Sequence, residues 1–143
     1  IPHVEPEKTS LLTALLLRIA RMHFLEKQVA TSGHARKVSD IVNFIHAMAI
    51  NEIMVRTLSV QQVADHFRMN AIYINRIFKQ QTGTTIGHQI LGERLKHARY
   101  LLSTGLSIKE TARFCGFRDS RYFARQFRLE TGISPSHYLK SFI

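Results

Sequence analysis

The stretch "LSVQQVADHFRMN" (Leu58–Asn70) is answered 48 residues later by "LSIKETARFCGFRD" (Leu106–Asp119), and each copy leads into a second similar line. Those lines are "INRIFKQQTG" (Ile74–Gly83) and "FARQFRLETG" (Phe123–Gly132), with Arg, Phe, a basic residue, Thr and Gly in the same places. The offset grows to 49 at Asn70 and Asp119, so one residue is added in the turn. Ser59 with Gln62 and Ser107 with Glu110 have the capping-box form, in which a hydroxyl serves a free first-turn amide and the Gln or Glu reaches back. Asn70 and Asp119 are placed to cap a second helix that stops at Thr-Gly. Each copy therefore reads as a short helix, a tight turn and a second helix, the layout of a helix-turn-helix. Two copies are too few for a stable helical solenoid.

Outward from the repeat, apolar residues recur at spacings of three and four, and alternating runs rich in valine and threonine are missing. Gly83, Gly105 and Gly132 stand at helix stops, and Ser134-Pro135 is an N-cap followed by proline at the first helical position. These signals predict helices near 10–30, 38–50, 59–67, 70–81, 85–103, 107–115, 119–131 and 135–142. The fold class is all-α: two helix-turn-helix subdomains (about 58–83 and 106–132) joined by a linker helix (about 85–103) and preceded by an N-terminal amphipathic helix. On the linker helix Ile86, Ile90, Leu91, Leu95, Ala98 and Leu102 form a stripe against which both units can pack. Its length, about 28 Å at 1.5 Å per residue, approaches the roughly 34 Å between major grooves on one face of DNA.

The second helix of each copy has two faces. Ile74, Ile77 and Phe78 make an apolar stripe in the first, with Ile72, Asn75, Arg76 and Lys79 opposite. In the other, Phe123 and Phe127 point inward, and Ser120, Arg121, Ala124, Arg125 and Arg128 outward. Arginine can donate two bonds to guanine, asparagine can pair with adenine, and further basic residues hold phosphates. Any one outward residue is more simply a solvated helix surface; Arg76 and Arg125 at equivalent positions of both copies argue against that. Charge agrees: 20 Lys+Arg against 10 Asp+Glu give +10, of which residues 37–143 carry +8. A polyanion is the natural partner.

Enzymatic readings fare poorly. His3, His23, His34, His46, His66, His88, His97 and His137 form no close pairs of zinc-ligand spacing, so no metal or other cofactor is expected. Cys115, the only cysteine, reads as a buried apolar thiol and permits no intrachain disulfide. "TGTTIG" lacks the Walker lysine and a preceding strand. No apolar run spans a bilayer and Ile1–Ser10 has no basic leader, so a cytoplasmic setting is expected.

The chain resembles the AraC/XylS family of bacterial transcription regulators over about Val38–Phe142. The likeness is most specific in "SIKETARFCGFRDSRYFARQFRLETGISPSHY", at Ala112, Gly116-Phe117, Asp119, Tyr122-Phe123, Arg125, Phe127, Gly132, Ser134-Pro135 and Tyr138. Arg94, Ala98 and Leu101-Leu102 are similar to the family's joining helix. The resemblance implies two units in successive major grooves of promoter DNA, with RNA polymerase as a further partner. It places base contacts at Ile72, Asn75, Arg76, Ser120, Arg121, Ala124 and Arg125, and phosphate contacts are expected from Ser59, Asn70, Lys79, Arg94, Ser107 and Arg128. Three residues depart from the pattern. Arg68 stands where the first turn usually has glycine, and so meets a steric cost or takes another geometry. Ile72 suits a thymine methyl, and Leu139 replaces a frequent arginine.

Residues 1–36 fit no helix-turn-helix. Leu12, Leu15, Leu16, Ile19 and Met22, with Phe24 or Leu25, make a broad apolar face. This segment is expected to be the tail of a sensor or dimerisation region, with Gln28–Arg36 as linker to a DNA-binding domain at 37–143. Leu12, Leu15, Leu16 and Ile19 are the candidate homodimer contacts; packing on the chain's own DNA-binding domain is the alternative. A chain starting at Ile1 without methionine reads as a fragment with any effector domain upstream. A different function class, a module binding an acidic protein partner, is separated from DNA binding by a gel shift that survives heparin.

Overall fold

The structure, a computed structural model, describes residues 6–142, and the side chains of residues 11–25 and 32–142. His3 and the first half of Ile1–Ser10 lie outside the described residues. Only helices occur among those described: α1 (Pro6–Ala49), α2 (Glu52–Thr57), α3 (Val60–His66), α4 (Ala71–Thr82), α5 (Ile86–Ser103), α6 (Ile108–Phe114), α7 (Ser120–Thr131) and α8 (Pro135–Lys140).

Two expectations change. The backbone is helical through 28–36, so no irregular linker separates the first two expected helices. Gly33 costs a helix interior about 1 kcal/mol relative to alanine, and the helix-forming sequence on both sides outweighs it. The other change is α2, an unexpected helix, announced only by its cap: Asn51 Oδ1 accepts the N–H groups of Ile53 (3.0 Å) and Met54 (3.2 Å). Asparagine is among the strongest N-caps.

The chain divides into two compact units between Lys37 and Val38. Before the boundary Leu12, Leu15, Leu16, Ile19, Met22, Phe24 and Leu25 are exposed. After it lie two apolar cores. Val38, Ile41 and Ile45 of α1 join Val63, Ala64, Ile74, Phe78, Ile86 and Ile90 in the first. Leu95, Ala98 and Leu102 join Ala112, Cys115, Phe117, Phe123 and Phe127 in the second, with Tyr138 and Leu139 packed against it. The helix α5 thus belongs to both cores, as its stripe predicts. Leu139, which replaces a frequent arginine of the family pattern, is occupied in packing.

Local chemistry explains the repeated letters. At Ser59 the capping box is complete: Gln62 N–H donates to Ser59 Oγ (3.2 Å) and Ser59 N–H to Gln62 Oε1 (2.9 Å). At Ser107 it is half made, because Glu110 accepts from the hydroxyl (3.1 Å) instead of the backbone N–H. The repeated Thr-Gly closes the second helices in the same way. The hydroxyls of Thr82 and Thr131 donate to the carbonyls of Phe78 (2.8 Å) and Phe127 (2.7 Å), and Gly83 and Gly132 follow in the left-handed conformation.

One core position departs from the repeat. Thr111 stands where the first unit has Val63; it is fully buried and its hydroxyl has no hydrogen-bond partner among the described residues. A buried hydroxyl without a partner costs about 1 to 3 kcal/mol, whereas an apolar group of the same shape costs nothing. Thr111→Val should therefore stabilise the protein by about 1 to 2 kcal/mol, read as a higher Tm in thermal denaturation. A lower Tm would mean that the hydroxyl is bonded after all, for example to a trapped water.

Candidate nucleic-acid interface

Helices α4 and α7 are held alike. Asn70 Oδ1 accepts from Ile72 N–H (2.9 Å) and Tyr73 N–H (3.3 Å), and Asp119 Oδ1 from Arg121 N–H (2.8 Å). Ile74, Ile77 and Phe78 are buried on one, Phe123 and Phe127 on the other, and this rotates the opposite faces outward. Ile72 is 73% exposed. Arg76, Lys79, Ser120, Arg121, Arg125 and Arg128 are exposed and Ala124 is half-buried. Among the described residues no carboxylate pairs with Arg76, Lys79, Arg121, Arg125 or Arg128. Two outward helix faces therefore carry cationic groups whose donors are unengaged. Exposed Ser59 and Ser107 sit at the N-caps of α3 and α6, where the oxygens serve first-turn amides.

Two expected site residues are placed differently. Arg94, expected at phosphate, directs Nε to the Val55 carbonyl (3.1 Å) and Nη2 to those of Arg56 (3.2 Å) and Leu58 (2.8 Å). These acceptors lie at the C-terminal end of α2, where carbonyls lack helical partners and the helix dipole favours a cation. Burial pulls the Arg94 pKa below the ordinary arginine value, and the neighbouring Cys115 and Tyr122 oppose that pull. Asn75, expected to pair with adenine, is half-buried, and its Oδ1 accepts from Ile86 N–H (2.9 Å) at the first residue of α5. Adenine recognition uses both ends of the amide, so in this structure only the amino group is unengaged.

The two turns share a left-handed backbone but differ in what stands against them. Arg68 adopts φ 54° and so takes the left-handed geometry at a steric cost. Gly116, its counterpart, has φ 85°, and a Cβ there would lie 2.5 Å from the Arg56 carbonyl oxygen. The second turn is thus pressed against the α2 terminus that Arg94 holds. Sequence reasoning missed Arg56, because its functional group is a backbone carbonyl.

Catalytic chemistry finds no foothold at Cys115, which is fully buried. Burial pushes its thiol up to about 12, against the opposing pull of Arg94, so it stays protonated at neutral pH. No group of His, Cys, Asp and Glu that could hold a metal ion occurs among the described residues, and no described helix is long and apolar enough to cross a membrane.

The fold and its outward cationic faces define a double helix-turn-helix domain of the kind that binds DNA. A family model described as a helix-turn-helix domain matches residues 63–141. The chain belongs to the AraC-type helix-turn-helix family of DNA-binding transcription regulators. It is 33% identical over 140 residues to the HTH-type transcriptional regulator YijO of Escherichia coli K12, covering 96% of this chain and 47% of that protein. The chain therefore spans about half the length of that relative. An AraC-type regulator from Chromobacterium violaceum superposes with TM-score 0.63 at 26% identity, over 78% of this chain and 96% of that one. The DNA-binding domain of AdpA, solved in complex with a target DNA, shares the fold at TM-score 0.59 and 24% identity, over 73% of this chain and 91% of that one.

Proposed function

We propose that the chain reads an asymmetric, bipartite promoter site, with α4 and α7 in successive major grooves on one face of the duplex. The observation that carries this reading is the pair Arg76 and Arg125, equivalent, exposed and unpaired, on two helices fastened to one α5. Ile72 offers an apolar contact to a thymine methyl; Arg121 and Ser120 offer donors, and Ala124 leaves room for a base edge. Lys79 and Arg128, with the cap residues Ser59, Asn70 and Ser107, are assigned to phosphates. Asn75 acts first by fixing α4 against α5. The outward faces differ apart from the shared arginine, so each copy of the chain favours an unsymmetrical site with block centres about 10 base pairs apart.

Residues 1–36 are assigned to a sensor or dimerisation region, with Leu12, Leu15, Leu16 and Ile19 as contacts to a second copy, and 37–143 to DNA binding. RNA polymerase as a partner and a cytoplasmic location follow from the same reading.

The test begins with selection of bound duplexes from a random pool. Arg76→Ala and Arg125→Ala should each weaken the selected site by about 1 to 3 kcal/mol and relax preference at one base pair. Lys79→Ala should weaken every sequence alike and flatten the salt dependence. Equal losses on selected and random DNA for the arginine variants would move both residues to the phosphate class and remove the base-reading role.

A further inference from the structure

A cleft of about 740 Å³ opens between the first half of α5 and the second helix-turn-helix unit, walled by the start of α5, the second turn and α7. Its lining includes Thr85, His88, Arg94, Arg118, Asp119 and Gln126. Arg94 is the cation at its back. The three carbonyls it bonds at the α2 terminus satisfy donors but carry no net charge, and no carboxylate pairs with it among the described residues, so a half-buried positive charge is left without an anionic partner. An unpaired buried charge is costly unless an opposite charge arrives.

The remaining lining fits an anion. Arg118 and His88 are exposed at the walls and unpaired among the described residues. Thr85 Oγ1 accepts from His88 N–H (3.1 Å), which leaves its hydroxyl hydrogen to donate outward. The one acid on the wall, Asp119, has an oxygen engaged by the first turn of α7. One wall carries Gln126, which follows Arg125 in α7, and the other carries Thr85, the neighbour of Ile86 to which Asn75 of α4 is bonded.

We propose that this cleft receives the sugar–phosphate backbone of the strand that crosses between the two grooves, with Arg118, His88 and the Thr85 hydroxyl donating to phosphate oxygens and Arg94 supplying a fixed charge behind them. The inference rests on the DNA-reading role above. It assigns to DNA two residues, His88 and Arg118, that lie outside both recognition faces. The central stretch between the base-read blocks becomes an anchored part of the site without being read as sequence.

The experiment uses the full 143-residue chain and a duplex that it selects from a random pool. Arg118→Ala should lower affinity about 3- to 10-fold for selected and random duplexes alike and reduce the salt slope by about one. Arg118→Lys should restore most of both. Ethylation of single phosphates midway between the two blocks should interfere with binding by the wild type and lose that effect in Arg118→Ala and His88→Ala. Inorganic phosphate or pyrophosphate that protects the cleft from change at low concentration, without midway ethylation interference, would mean a free anion is the ligand and would overturn the proposal. So would an unchanged salt slope with a wild-type interference pattern. If Arg125→Ala still relaxes base preference in that case, only the cleft assignment fails; if it does not, the two-groove reading fails with it.

Discussion

A Gly116→Ala protein should lose about 2 to 5 kcal/mol of stability, from two causes that act together. The backbone at φ 85° charges any L side chain about 1 to 2 kcal/mol for the left-handed conformation. The added carbon also meets the Arg56 carbonyl oxygen at 2.5 Å, well inside contact distance, and backbone on both sides resists moving. Overpacking of that kind typically adds about 1 to 3 kcal/mol. Arg68→Gly supplies the control, since it removes only the conformational term at the equivalent turn. It should raise stability by about 1 kcal/mol. Urea denaturation of both variants separates the terms: a Gly116→Ala loss no larger than the Arg68→Gly gain would show that the α2 contact yields freely.

Arg94→Met should be comparably severe, at about 3 kcal/mol, because it leaves the carbonyls of Val55, Arg56 and Leu58 without their charged donor while keeping the volume of the stem. Its effect on binding should be distinct from simple unfolding. The terminus of α2 is held by α5 through Arg94 and pressed by the second turn through Gly116, so it sets the register between the units. The wild type should reject a site with five base pairs inserted between its blocks, since the second block then faces away. Arg94→Met, measured below its melting range, should bind the native spacing more weakly and discriminate less sharply between the two. Arg94→Lys should recover little, because an ammonium cannot present the planar fork that spans three carbonyls. Wild-type discrimination in Arg94→Met would remove the register role and leave Arg94 as a stabilising residue alone.

Much of this architecture was legible in the sequence because it is built from local signals. Ser59, Asn70, Ser107, Asp119 and Ser134 cap the helices they announce, and the inward stripes of α4, α5 and α7 follow from spacing. The outward faces follow by complement, so Arg76 and Arg125 could be read as a pair. What escaped was non-local. The Arg94 bonds cross 36 to 39 residues and end on backbone carbonyls, which leave no letter in a sequence. Asn75 was legible as an outward polar residue, but its bond to Ile86, eleven residues on, depends on how α5 leaves the turn. Short α2 has room for barely two turns and no amphipathic period to betray it; Asn51 was its one signal.

The divided ownership of α5 has a consequence for how the domain melts. Ile86 and Ile90 complete one core while Leu95, Ala98 and Leu102 complete the other, along a single hydrogen-bonded rod. Fraying from either end strips apolar surface from the unit at that end and shortens the rod on which the other depends. Opening one unit therefore raises the free energy of the other, and the two behave as one cooperative foldon, with the most slowly exchanging amides near the middle of α5.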